Sequence, residues 1–455
     1  MGVGVSPKVP SPDKRRPPQK TERAFQEEQR YLAPGAQSMC LHSRLVVDHG
    51  KGVFLTDLDG NTYLDFFSGV TVGSLGHSHP RYVAALKEQI ERVTFGSFTT
   101  MNRVKFLKTL AKVAPGNLKR TQLYSGGAEA VEAALRLAKA YTGKFEVIGF
   151  WGGFHGKTGG VLGLVGDHFK HRHGPMAPGL HLAPYANCYR CAFNVTYPGC
   201  GFLCVDFLKK MVRHSTTGSI AAILVEPIQG TAGNVTPPPG YLRALQTVAK
   251  DSGALLIADE MITGFGRTGM MFGVNHEGIA PDIMTLGKGM GGGFPVSALV
   301  SSDEIVSSEP FSLPSASSSS YGGNPLAAAA ARVTLDTILE EGLVENSCSV
   351  GAWLLKQLSA LEEQYPFVGQ VRGKGLMIGV ELVRDKETKV PLSGQACQWV
   401  FHQGLREGIL LMITSSSLRI NPALTISQKE AEMGMEILKR IFDRICAEKV
   451  YLRDS

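Results

Sequence analysis

Between residues 82 and 300 short apolar runs alternate with helical patterns, and this alternation restricts the chain to few folds. The runs 147–150, 221–225, 255–258, 283–286 and 298–300 are too short for helices and carry no polar alternation, as strands buried on both faces do. Helical patterns at 82–93, 104–113 and 128–141 complete the alternation. Strands separated by helices predict a mostly parallel, doubly wound α/β sheet. Such sheets bind ligands beyond the carboxyl ends of their strands.

Two strand ends carry unusual chemistry. Asp259 follows the run Leu255-Leu256-Ile257-Ala258, and Lys288 stands in Leu286-Gly287-Lys288-Gly289-Met290-Gly291-Gly292-Gly293. A lysine with such small neighbours can be desolvated and deliver its amine to a carbonyl, which Schiff-base chemistry requires. The acid and the amine together suggest pyridoxal phosphate.

Further strand ends fit an anionic, flat ligand, each with a plainer alternative. In Tyr124-Ser125-Gly126-Gly127-Ala128-Glu129 a pair of glycines leads into a helix, whose free N–H groups and dipole suit a phosphate; a tight turn would show the same letters. Gly153-Phe154-His155-Gly156 follows the run 147–150. Phe154 could cover the face of a heterocycle or be ordinary core, and His155 could be a structural hydrogen-bonder. Glu226, after the run 221–225, could contact substrate or cap its loop. Arg419, in Leu418-Arg419-Ile420-Asn421-Pro422, is a lone cation among apolar residues, suited to a bidentate carboxylate or to a structural ion pair.

The rest of the chain frames these elements. The 455 residues exceed one ordinary core, so at least two lobes are expected. Residues 1–35, with Lys14-Arg15-Arg16-Pro17-Pro18, read as a basic, Pro-rich solvated tail. Residues 36–79 read as the N-terminal segment of a smaller domain, with a hairpin turning at Asp59-Gly60-Asn61. Residues 80–334 form the large lobe. Residues 335–455 form a second α+β lobe with strands at 376–382 and 418–420.

A net charge of +7 with no continuous basic stripe excludes a nucleic-acid role. No apolar run reaches the length of a membrane span, and no secretory h-region is visible, so cytoplasm is the expected location. Four of the eight cysteines, Cys188, Cys191, Cys200 and Cys204, crowd together. Their spacing matches no standard zinc ribbon, and either a metal or iron–sulfur cluster or a loop of free thiols is consistent with it.

These motifs resemble, in order, those of the class-III or omega aminotransferases, fold-type-I pyridoxal-phosphate enzymes that include 4-aminobutyrate, ornithine, acetylornithine and amine:pyruvate transaminases. The resemblance runs from Gly52 to Ile426. It includes Asp59-Gly60-Asn61, Gly76-His77-Ser78-His79-Pro80, Ser125-Gly126-Gly127-Ala128-Glu129-Ala130, Phe154-His155-Gly156, Glu226-Pro227-Ile228-Gln229-Gly230, Ala258-Asp259-Glu260, Gly287-Lys288-Gly289, Tyr321-Gly322-Gly323-Asn324-Pro325 and Arg372-Gly373-Lys374-Gly375.

The resemblance implies a large domain joined to a smaller α+β domain built from N- and C-terminal segments. Lys288 would be the Schiff-base lysine and Asp259 the partner of the pyridine nitrogen. Ser125, Gly126 and Gly127 match the phosphate loop, Phe154 and His155 the ring-stacking motif, and Met261 the residue on the other ring face. Ile262 stands where many relatives carry Gln. Ser320 stands where a Thr usually reaches the phosphate of the neighbouring subunit, so a homodimer or a dimer of dimers is implied. Glu226 and Arg419 match the gating acid and the carboxylate-binding arginine, although Asn421-Pro422 replaces the usual Pro-Pro. Phe67, Val70, Phe95 and Phe98 could line the substrate entrance.

The implied activity moves the amino group of a primary amine or omega-amino acid to a 2-oxo acid, pyruvate or 2-oxoglutarate, by a ping-pong route. The fold also hosts an aminomutase and a dialkylglycine decarboxylase, which would keep Lys288 and Asp259, and a silent scaffold is the non-enzymatic alternative.

Overall fold

The computed structural model describes residues 15–166 and 168–453. Its centre is a seven-stranded sheet in the order Arg120–Tyr124, Ser297–Ser301, Ile283–Leu286, Leu255–Asp259, Ile220–Val225, Glu146–Phe150 and Leu180–Ala183. Only Ser297–Ser301 runs antiparallel to its neighbours. The inner strands are buried along their whole length, which is why they read as unbroken apolar runs. Helices such as Gly127–Thr142 and Tyr241–Asp251 cover the sheet with apolar faces centred on Val131, Leu135, Leu242 and Leu245.

Two smaller sheets flank this layer. Phe54–Asp57 and Thr62–Asp65 form the expected hairpin around Gly60, and Ile409–Leu410 from the far end of the chain adds a parallel strand beside Thr62–Asp65. The other sheet is antiparallel, ordered Val368–Lys374, Met377–Leu382, Ser417–Ile420 and Met412–Thr414. It holds Arg419 opposite Gly379.

Two expectations are corrected. Part of the basic tail is built into the fold: Gln19–Gln29 is a helix whose first amides, those of Lys20 and Thr21, donate to the carboxylate of Asp59 on the hairpin turn. Arg15 lies 4.5 Å over the Tyr63 ring and donates to the Thr62 carbonyl, so the basic residues pack instead of remaining solvated. Residues 1–14 lie outside the described residues. The boundary drawn at residue 335 cuts through the helix Pro325–Glu340, which packs as one piece on Pro80–Ile90 and Met101–Val113.

The Ser-rich stretch before that helix is packed. Ser317 is buried against the Tyr124 hydroxyl at 2.6 Å, and a Cβ on Gly322 would stand 2.2 Å from the Leu123 carbonyl oxygen.

Candidate active site

Neighbouring strands bring the acid and the amine together. Asp259 ends Leu255–Asp259 and is in register with Thr285 of Ile283–Leu286. Just past that second strand Lys288 opens a 3-10 turn with φ 42. Both residues line a cavity of about 340 Å³ together with Ser125, Gly127, Phe154 and Met261.

Asp259 is buried and fixed by three donors. Its Oδ1 accepts from the Met261 N–H and the Thr285 hydroxyl, each at 3.1 Å, and its Oδ2 lies 2.7 Å from His155 Nδ1. Burial pushes the His155 pKa down, but the hydrogen bond and charge of Asp259, with Glu226 behind it, outweigh burial and raise it. The imidazole therefore keeps its proton toward Asp259 and orients the carboxylate. Lys288 shows the opposite balance. Burial lowers its pKa against the pull of Asp259 and Glu226, and Arg419 adds to the lowering. No hydrogen bond or ion pair holds its amine among the described residues. A lowered, unclamped amine is suited to attack a carbonyl and to take up and release a proton.

The strand Arg120–Tyr124 delivers Ser125 and Gly126 to the start of the helix Gly127–Thr142. Glu129 accepts from the N–H groups of Ser125 and Gly126 at 3.0 and 2.6 Å, and Ser297 Oγ donates to the Gly126 carbonyl, which fixes the loop. The N–H groups of Gly127 and Ala128, in the first turn, lack intrahelical partners and face the cavity end, a site for an anion.

Glu226 lies behind this wall. It is buried and accepts from the Phe154 and Gly230 N–H groups, both at 2.9 Å. Burial raises its pKa, and His155 and the two N–H donors partly oppose that rise while Asp259 reinforces it. Arg419, also buried, donates from Nε to Asn234 Oδ1 at 3.3 Å and from Nη1 toward Met412 Sδ at 3.3 Å, while its Nη2 has no partner. Burial lowers its pKa to about 10 against the pull of Glu226. A buried guanidinium with a free N–H is an unfilled donor that a carboxylate can satisfy.

A family comparison fits this geometry. Aminotransferase class-III sequences match residues 36–442. The chain belongs to the class-III aminotransferases. A leucine/methionine racemase of Thermococcus litoralis is 34% identical over 89% of this chain and 91% of its own length. An acetylornithine aminotransferase of Methanothermobacter thermautotrophicus is 33% identical over 87% and 93%. The PLP-bound structure of an amine transaminase from an uncultivated Pseudomonas species superposes with a TM-score of 0.84 at 32% identity, covering 91% of this chain and 98% of that one.

The enzyme is therefore a class-III, pyridoxal-phosphate-dependent aminotransferase with the fold-type-I architecture. The cavity of this aminotransferase fits the cofactor: an amine for the aldehyde, a carboxylate for the ring nitrogen, and free N–H groups at a helix start for the phosphate.

The remaining expected site residues are distributed unevenly around this aminotransferase cavity. Ser125, Gly127, Phe154, His155, Asp259, Met261 and Lys288 line it. Gly126 stands one residue back, in the loop. Ile262 is not among the residues lining the cavity; it packs with Ile228 and Met377, and its side chain lies over Gly230. Val70 and Phe67 line a separate apolar pocket of about 110 Å³ with Met412 and Phe401. Phe98 is 79% exposed, and Ser320 is exposed on the single chain, outside the cavity wall.

Cys188, Cys191, Cys200 and Cys204 are free thiols. Among the described residues no group of three or more His, Cys, Asp or Glu is placed to hold a metal, and the four cysteines line one small pocket. Burial raises the Cys204 thiol to about 11, so in the metal-free chain it is protonated. No helix among the described residues is long and apolar enough to cross a membrane.

Thr285, Ser297 and Asn234 were not expected. Thr285 could have been found by aligning the runs 255–258 and 283–286 as parallel neighbours, which sets it beside Asp259. Ser297 and Asn234 carry no such signal, because each acts on residues far away in sequence.

Backbone strain also collects here. Ser68, Gly69, Val70 and Thr71 all have left-handed φ, at 49, 61, 63 and 66°. Non-glycine residues in that region cost roughly 1–3 kcal/mol each. The turn is held by Asp65 Oδ1, which accepts from the Phe67 and Ser68 N–H groups at 2.9 and 2.8 Å.

Proposed function

We propose that this enzyme transfers the amino group of a primary amine or omega-amino acid to a 2-oxo acid, and that it uses Lys288 as its working base. The observation that carries this reading is a lysine amine of lowered pKa beside a carboxylate locked by three donors, with a free buried guanidinium behind them.

When bound, pyridoxal phosphate supplies an aldehyde that accepts the amino group and a ring that withdraws electrons from the reacting carbon. Lys288 Nζ would hold the aldehyde, and its amine would serve as the base that takes up and returns a proton at the reacting substrate carbon. Asp259 Oδ would keep the ring nitrogen protonated, with His155 holding the carboxylate in place. The Gly127 and Ala128 amides would hold the phosphate, and Phe154 and Met261 would bound the two ring faces. Arg419 would orient the carboxylate of the oxo acid through Nη2, with Glu226 as the nearest acid to balance its charge when no carboxylate is bound.

The separate apolar pocket lined by Val70, Phe67, Met412 and Phe401 is what supports a donor with an apolar chain. The exposed apolar side chains of Phe95, Phe98 and Tyr321 support a homodimer in which Ser320 reaches a neighbouring subunit. The similarity to a leucine/methionine racemase favours one other outcome, inversion of an amino acid without an acceptor.

A panel of amines and amino acids with pyruvate or 2-oxoglutarate separates these readings. Transfer requires an acceptor and yields a new amino acid. Loss of optical activity from one enantiomer without any acceptor would replace the transfer reading with racemisation, and carbon dioxide release would replace it with decarboxylation.

A further inference from the structure

A continuous buried polar path leaves Arg419 and ends on the strained turn. Arg419 Nε donates to Asn234 Oδ1 at 3.3 Å, Asn234 Nδ2 donates to Asn421 Oδ1 at 2.7 Å, and Asn421 Nδ2 donates to Thr71 Oγ1 at 2.7 Å. All four residues are buried, at 1%, 0%, 3% and 2% exposure respectively. The direction of every bond follows from its first member. A guanidinium only donates, so Asn234 must present its oxygen to Arg419 and its NH₂ to Asn421; Asn421 must then present its oxygen to Asn234 and its NH₂ to Thr71.

Local structure makes the path possible. Gly379 lies opposite Arg419 in the sheet, and a Cβ there would stand 2.3 Å from the Gly233 carbonyl, so the loop carrying Asn234 reaches Arg419 only because that residue is glycine. Asn421 follows the arginine's strand and also donates its N–H to the Phe66 carbonyl at 2.9 Å, just before the left-handed turn. A proline, the residue the resemblance leads one to expect at 421, offers neither the N–H nor the amide. On the far side of the turn Val72 lines the cofactor cavity, and a Cβ on Gly289, next to Lys288, would stand 2.5 Å from Ser74 Oγ. The turn thus touches both ends of the site.

We propose that Asn421 is a positioning residue that, with Asn234 and Thr71, ties the Arg419 guanidinium to the strained turn 68–71, holding Nη2 free for a substrate carboxylate and coupling its recognition to the cavity wall at Val72. The proposal rests on the reading of Arg419 as the carboxylate group's partner. Strain in the turn and the satisfied path support each other: Thr71 holds its unfavourable backbone where its hydroxyl meets Asn421, and the guanidinium keeps its outer nitrogen open because its inner one is occupied.

The test measures calorimetric binding of butyrate, a carboxylate with no amino group to transfer, to holoenzyme variants, alongside KM and kcat for a 2-oxo acid and for a carboxylate-free amine. Thr71→Val is the deciding variant, since it keeps shape and β-branching and removes only the hydroxyl; Asn421→Leu removes the bridge itself. Both are expected to weaken butyrate binding and raise the oxo-acid KM by about tenfold, with smaller changes in kcat and in the amine KM. Thr71→Ser is expected to restore binding. The double variant is expected to lose little more than either single one, because both cut one path.

Arg419→Leu separates the failures. If it weakens butyrate binding while Thr71→Val and Asn421→Leu leave binding unchanged, or if the two losses simply multiply, the relay is overturned and the reading of Arg419 stands. If Arg419→Leu binds butyrate as the wild type does, both fall.

Discussion

The two ends of the site are held in opposite ways. At the cofactor end Asp259 has every oxygen engaged, by Met261, Thr285 and His155, and the lysine beside it is left unclamped. At the other end Arg419 is held on two nitrogens by an amide and a thioether and keeps the third open. The first arrangement fixes a charge that must not move while leaving free the amine that must. The second leaves one donor unsatisfied in a buried place, where a carboxylate gains more than it would in water. A group meant for a resident cofactor is thus fixed by three protein donors, with acceptor capacity left for one more, whereas one meant for a transient substrate keeps a whole N–H group unpaired.

Substitutions at each end should break this contrast in order of size. Lys288→Ala is expected to have the largest effect, lowering transfer by about 10²- to 10⁴-fold through loss of the proton-moving amine, as read in steady-state assays. Transfer near the wild-type rate would remove Lys288 from its role. Arg419→Leu is expected to raise the KM for the 2-oxo acid by about 10- to 100-fold, the worth of a charge-assisted hydrogen bond, with a smaller change in kcat. An equal rise for a carboxylate-free amine would show that the variant had damaged the cavity instead.

Glu226→Gln tests the electrostatic link between the ends. Glu226 favours the charged form of Lys288, so its loss should lower the lysine pKa further. In cofactor-free protein the pH midpoint for labelling of Lys288 by an amine reagent should therefore move down. An upward shift would contradict the assigned sign. Thr285→Val is expected to have the smallest effect, costing about 1 kcal/mol of stability in denaturant unfolding through loss of one buried bond to Asp259.

The cofactor end was more legible in the sequence than the substrate end, for a physical reason. Asp259 and Lys288 sit at or just past the ends of buried strands, which announce themselves as apolar runs bounded by glycine or an acid, whereas the Ser125–Gly127 loop showed itself by its paired glycines before a helix. The inner strands of the central sheet were readable as apolar runs, including Ser297–Ser301 although not its antiparallel direction, while the half-buried edge strand Leu180–Ala183 was not read. Arg419 stood out as a lone cation, but its surroundings depend on Asn234 and Thr71, which lie far off in sequence and look like ordinary loop residues. The helix Gln19–Gln29 was missed because its N-terminus is capped by Asp59 from another element.

The most direct test of the fixed cofactor end and its free lysine is chemical trapping. The holoenzyme would be reduced with borohydride, digested and mapped by mass spectrometry. The expected result is a pyridoxyl group on the peptide containing Lys288 and on no other lysine, and its absence from the Lys288→Ala protein. A pyridoxyl group on a different lysine of the wild-type enzyme, or none at all, would contradict the account.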